Sequence, residues 1–377
     1  MRALSSLILM LSLLWLVPSG CSKQEEASEQ AISQAKERLY AGYALDQPGS
    51  IDVGVQPLSM PESPVTELLA RDNTLAAQLK ARNLVLKPFP FYKGKEIYQL
   101  MLQGKLEAGV LGDMPALSAA ASGDIVIAAM VKHGFSSIVG GKPMLVKDLK
   151  GKRIATGLGS TAHFTLLKAL ENEGLTEGDV EVVGMEVDDM PQALAQGRID
   201  AFSAWEPTPT MALAAHPEFR LLHRGLNYGF LCFRRDFVTS HPAEARYIVA
   251  AVARGCLWMR QPGSLDQVAQ WVKASSSRFQ GTPSFLTPEQ TVAITRNDLL
   301  NVPDAPQIPM RLLQERELLW TEFEYLKKNE KIPQKIPWEK VRNSFDTDLL
   351  QGVLTDSKPY DLRRFDYRYD HVQGGTK

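Results

Sequence analysis

The sequence predicts an α/β protein made of two similar lobes with mainly parallel sheets and a ligand cleft between them. Three observations carry this. From Ile51 onward, short β-branched runs alternate with helical ones. The alternation pauses in a polar stretch ending Asp148-Leu-Lys-Gly151 and restarts at Arg153. The two passages also share letters: Gln103-Gly-Lys-Leu-Glu-Ala-Gly109 stands against Gln196-Gly-Arg-Ile-Asp-Ala-Phe202, and each is followed by a loop ending in proline, Gly112-Asp-Met-Pro115 and Trp205-Glu-Pro207. Strand, helix and strand joined by short connections imply crossovers, and so parallel strands covered on both faces.

The elements follow in order. Behind Arg2, the apolar run 7–17 is too short to span a bilayer and leads to Pro18-Ser19-Gly20-Cys21, which reads as an export signal. Residues 1–20 are then a signal of the lipoprotein type, because Ser19-Gly20-Cys21 resembles the bacterial lipobox, and Cys21 is the expected site of lipid attachment. Cleavage without lipidation is the alternative. Residues 21–48 form a tether, partly helical, with Ala27, Ala31 and Ala35 at a spacing of four. In the first lobe, Ile51, Val53 and Val55 alternate as a strand and Ser63-Pro64 offers a helix start. Strands are expected over 84–87, 106–111 and 125–131, helices over 95–103 and 115–121. In the second lobe the strands are 153–156, 180–183 and 199–204, the helices 161–173 and 191–196. The chain returns to the first lobe at Gly229 and continues in helices over 243–259, 290–300 and 310–328, with 366–377 expected to be loose. The lobes are thus 49–145 with 229–340, and 146–228; residues 341–377 are a C-terminal extension.

Composition narrows the function. Among 377 residues, 44% are hydrophobic and 23% charged, the balance of a globular protein. Lys+Arg 42 against Asp+Glu 43 gives net −1, so no field favours nucleic acid. Three cysteines without paired spacing support neither a disulfide scaffold nor a metal site. Cys232 and Cys256 either pair or stay as thiols; the apolar run Gly229-Phe-Leu-Cys-Phe233 favours buried thiols.

Ligands of open α/β sheets sit beyond the carboxyl ends of the strands, which selects the candidate site. Gly159, Ser160 and Thr161 follow a strand and open a helix, where free N–H groups and two hydroxyls suit an oxyanion. Ser160 or Thr161 could equally be a plain cap. Gln56 and Ser59 follow the first strand, and Gly112 and Asp113 precede a helix in the first lobe. Trp205 ends a central strand and can wall an organic group; Glu206 beside it would repel a sulfonate but accept hydrogen bonds from an amine. His163 lies one turn inside the anion helix, as apt for packing as for contact. Gly157-Leu-Gly-Ser-Thr-Ala162 fits the dinucleotide fingerprint in form, yet the other lobe has no glycine counterpart. No cofactor is expected. Ser160 and His163 lack a nucleophile elbow or a third member, so hydrolysis is not expected either.

These stretches, with Asp148-Leu-Lys-Gly-Lys152, Gly159-Ser-Thr-Ala-His-Phe164 and Ala193-Leu-Ala-Gln-Gly-Arg-Ile-Asp-Ala201, resemble the substrate-binding proteins of ABC importers. The branch is that for aliphatic sulfonates, taurine, nitrate and thiamine-precursor pyrimidines. The resemblance covers about residues 50–350. It implies a type II periplasmic-binding-protein fold with two hinge crossings and capture of a small organic anion by lobe closure. It also implies delivery to a membrane permease by a monomeric, extracytoplasmic lipoprotein that is not an enzyme. A pyrimidine carrier and a non-transport sensor on the same fold are the alternatives.

Overall fold

The computed structural model describes residues 38–284 and 286–369. The signal, Cys21 and most of the tether lie outside the described residues. Residues 38–44 belong to a separate short unit, in which the rings of Tyr40 and Tyr43 are 5.7 Å apart. Everything below concerns residues 45–369.

Eight strands are described: β1 (Ser50–Val55), β2 (Val85–Pro90), β3 (Ala108–Gly112), β4 (Ile125–Gly140), β5 (Arg153–Thr156), β6 (Glu181–Gly184), β7 (Ala201–Trp205) and β8 (Arg220–Arg234). Between them and β8's end lie α1 (Glu62–Arg71), α2 (Asn73–Lys80), α3 (Gly94–Leu102), α4 (Asp113–Ser122), α5 (Thr161–Asn172), α6 (Met190–Ala195) and α7 (Thr208–Ala215). After β8 come α8 (Arg235–Ser240), α9 (Pro242–Met259), α10 (Ser264–Gln280), α11 (Pro288–Thr295), α12 (Leu318–Lys328), α13 (Trp338–Arg342) and α14 (Thr347–Thr355).

The order in the sheet is β2-β1-β3-β8-β4-β7-β5-β6. The repeat read from the letters is present in the register: β1 pairs parallel with β2 and β3 as β5 does with β6 and β7, and Val53↔Ala108 answers Ile154↔Ala201. The duplicated halves nevertheless share one continuous ladder, a correction to the expectation of separate sheets. The reason is that β4 and β8 run antiparallel through both halves. Residues 229–233 of β8 pair with β3, and residues 136–140 of β4 pair with β7. The chain therefore passes between the halves twice, inside these two strands.

The second half shows how the sheet is covered. Ile138, Ile154 and Ala201 pack with Leu166 and Leu170 of α5 on one face, while Val139, Ala155 and Phe202 pack with Ala193 and Leu194 on the other. Adjacent strand residues point to opposite faces, so each strand feeds both layers.

Several expected boundaries shift. The strand expected over 125–131 runs on to Gly140, and that expected from Gly229 begins at Arg220. The first helix starts at Glu62, ahead of Ser63, and α4 includes Asp113 as its first residue. The helix expected over 310–328 is broken: a 3-10 turn, Met310–Leu313, ends before α12, with Arg316 at φ 73° between them. The stretch expected to be loose is docked as far as Tyr369. Asn73 N–H donates to the Asp366 carbonyl (2.9 Å), Arg368 N–H to that of Arg71 (2.8 Å), and the ring of buried Tyr367 lies tilted against Trp258 at 4.4 Å. Cys232 and Cys256 are free, buried thiols, as expected.

Candidate functional site at the junction of the two half-sheets

The strand ends of the two halves meet. Asp113, at the start of α4, is fully buried and accepts hydrogen bonds from Met114 N–H (2.8 Å) and from Tyr228 N–H (2.8 Å) on β8. It also accepts the hydroxyl proton of Thr161, at the start of α5 in the other half. A second link joins Met60 N–H to the carbonyl of Glu206 (3.2 Å), and a third is the Lys93–Glu186 ion pair (2.8 Å). The ends of β1, β3, β5 and β7 thus face one another across a closed gap.

The remaining predicted residues divide. Gln56 and Ser59 are buried at the end of β1, where Gln56 Nε2 donates to the Val110 carbonyl (3.0 Å) and Ser59 Oγ to Glu62 Oε2 (3.1 Å). Gly112 is the cap residue before α4. Trp205 is half-buried, its ring 3.5 Å from where a Cβ on Gly157 would sit. Glu206 is buried and accepts Thr210 N–H (3.3 Å); burial lifts its carboxyl, against the hydrogen bonds of Thr210 and the charges of Arg224 and Lys132.

At the start of α5 three of the candidate residues, Gly159, Ser160 and His163, bond to one another. Ser160 Oγ accepts His163 N–H (3.4 Å) and is the plain helix cap. Gly159 N–H donates to His163 Nδ1 (3.2 Å). His163 Nε2 faces Glu177 at 3.4 Å, so its ring is engaged within its own half; burial pushes its pKa down, with Glu177 opposing. A helix start binds an external anion through N–H groups that the chain leaves free; here side chains engage those of Gly159 and His163.

Sequence reasoning missed four buried charges. Lys132 pairs with Glu62 (3.3 Å), and Asp298, from the turn after α11, lies against Gly134 of β4. Glu322 of α12 is fully buried against Asp113, and burial with Asp113's charge holds it well above the usual carboxylate range. The one available signal was Lys132, a lysine closing an apolar strand. α12 touches both halves, since Tyr325 also meets Phe164 of α5 edge-on at 5.2 Å.

Replacing Glu322 by Gln should therefore raise stability at pH 8 by roughly 1 kcal/mol or more. A raised folded pKa means wild-type stability is full below the unfolded value near 4.5 and is lost as pH rises. The gain should shrink to nothing toward pH 4 in thermal melts; a gain independent of pH would refute the assignment.

This architecture, a twice-crossed duplicated α/β sheet with its strand ends closed on each other, is that of periplasmic substrate-binding proteins. Residues 92–263 match the family described as NMT1/THI5 like. It is 28% identical over 246 residues to the taurine-binding periplasmic protein of Escherichia coli, covering 59% of this chain and 75% of that one. The crystal structure of the periplasmic aliphatic sulphonate binding protein SsuA from Escherichia coli shares the fold with TM-score 0.62 at 20% identity, covering 78% of this chain and 92% of that chain. A desulfurization enzyme, DSZB, shares it with TM-score 0.54 at 14% identity, covering 82% and 99%.

Proposed function

We propose that the protein captures a small organic solute of the sulfonate type between its two half-sheets and presents it to an ABC importer. The observation that carries this reading is the direct bond from Thr161 to Asp113, which joins the two halves at the strand ends where ligands of such sheets bind. The similarity to taurine- and sulfonate-binding proteins supports the solute class. The two lobes of the clamp are 49–145 with 229–340, and 146–228. The protein acts outside the cytoplasm, held by a lipid on Cys21; a Cys21→Ser variant should leave the membrane fraction, and retention there would refute the anchor. Among the described residues, no helix is long and apolar enough to cross a membrane.

The reading is of a carrier rather than an enzyme. Burial pushes the thiol of Cys232 up, and that of Cys256 up to about 11, so neither is an activated nucleophile.

A thermal-shift screen over alkylsulfonates, taurine, nitrate, bicarbonate and aminopyrimidines tests the function, because a solute bound by the closed form raises the melting temperature. Trp205→Ala should weaken the best hit roughly tenfold while the protein stays folded. Saturable binding to none of these compounds would overturn the proposal, and an unchanged affinity would remove Trp205 from the site.

A further inference from the structure

The face of the β4–β8 ribbon that carries Lys132 is rich in acceptors. Lys132 pairs across the ladder with Gly229, and Gly134 with Asn227; directly opposed residues project to the same face, as do residues two apart. The two glycines clear room for carboxylates. A Cβ on Gly229 would lie 2.8 Å from Glu62 Oε1, and one on Gly134 would collide with Asp298. Asn227, 2% exposed, spends its Nδ2 on Ser136 Oγ (2.8 Å), and its Oδ1 has no partner among the described residues.

We propose that this face is a seat for a protonated amine on the bound solute, with Asp298, Glu62 and the free Asn227 Oδ1 as its acceptors. The inference rests on the gap being the solute site, and it narrows the solute from a plain anion to one that also bears an ammonium group. Three things support it. Lys132 is already matched by Glu62, so it is not a free partner for an anion. A buried carbonyl oxygen without a donor is costly, and a ligand N–H would satisfy it. Asp298 and Glu62 both lie against this face, at Gly134 and Gly229, so two carboxylates stand beside the unpartnered amide oxygen.

The charge balance agrees. The groups acting on Asp298 are Lys132 of β4, Arg224 of β8, Glu206 before α7 and Glu62 of α1, so three carboxylates face two cations. Burial pushes Asp298 up to about 7, with Glu206 and Glu62 raising it and Lys132 and Arg224 opposing. The empty seat thus makes up its deficit with a proton, and an incoming ammonium displaces it. Affinity for an aminated solute should then rise with pH through 7, where Asp298 gives up its proton unaided, and flatten above.

Calorimetry with taurine and ethanesulfonate, which share carbon number and sulfonate and differ in the amine, tests this on the wild-type protein. Taurine should bind at least about tenfold tighter at pH 8 and lose roughly tenfold between pH 8 and pH 6, with ethanesulfonate showing no such slope. Asp298→Asn should erase both the preference and the slope. Equal affinities, or a taurine slope that survives in Asp298→Asn, would overturn the seat and leave the sulfonate reading standing. Binding of neither compound would overturn the sulfonate reading and the seat together. Should the variant fail to fold, the wild-type comparison and its pH profile decide alone.

Discussion

Replacing Arg254 by Met is expected to lower the unfolding free energy by about 3–5 kcal/mol. Arg254 of α9 is fully buried and grips Asp72 with two nitrogens, at 2.6 and 2.8 Å, while a third donates to the Tyr360 carbonyl at 2.7 Å. Asp72 is itself the N-cap of α2, accepting Leu75 N–H at 2.9 Å. Burial lifts Asp72 even against the guanidinium, so the carboxylate is held in a dry site and depends on its partner. Methionine leaves it buried and unmatched. The double variant Asp72→Asn with Arg254→Met should recover much of the loss, because asparagine still caps α2 and carries no charge. The deficit of the single variant should shrink in acid, where Asp72 is protonated in both proteins, and grow as pH rises through the raised folded pKa of Asp72. Urea unfolding at several pH values measures all of this, and a loss under about 1 kcal/mol at pH 7 would show the pair to be incidental.

The second large effect is on closure. Asp113→Ala removes a side chain that receives a donor from a crossing strand and a donor from the opposite half at once. Each buried donor left without an acceptor costs about 1–3 kcal/mol, and the Thr161 hydroxyl is stranded only when the halves are together. Solute affinity should therefore fall roughly 10–100-fold. Thr161→Val separates the contributions: it loses the bridge while Tyr228 N–H keeps its acceptor. It should weaken binding by roughly tenfold with little change in unfolding. If both variants bind the solute as the wild type does, the Asp113–Thr161 link has no part in capture.

Much of the fold was legible because its signals are local. β1, β3, β5 and β7 announce themselves by β-branched runs between helical ones, and the echo of Gln103-Gly against Gln196-Gly marks equivalent helix ends in both halves. The crossing strands were half hidden. Lys132-His133-Gly134 and Arg224-Gly225 fall outside the expected strands, since polar and glycine residues carry no strand preference of their own. They are extended because each is paired along its length with a partner some ninety residues away. The site divides the same way. Gln56, Ser59, Asp113, Thr161 and Glu206 were picked out by their place at strand ends, a position that chain order fixes, and the fold brings Asp113 and Thr161 into direct contact. Ser160 and His163 stayed open between two readings because a helix cap and an anion ligand look alike in letters; in the structure Ser160 caps α5 and His163 faces Glu177.

The sequence by itself determined a duplicated α/β chain, its strand-end loops and the resemblance to solute-binding proteins, all of which rest on periodicity and short motifs. Tertiary structure alone decided that Asp298 and Glu322 come to the junction, that Lys132 is matched by Glu62, and that Thr161 bonds to Asp113 across the halves. Those outcomes depend on which charges share a low-dielectric space, and that is set by packing between segments far apart in the chain.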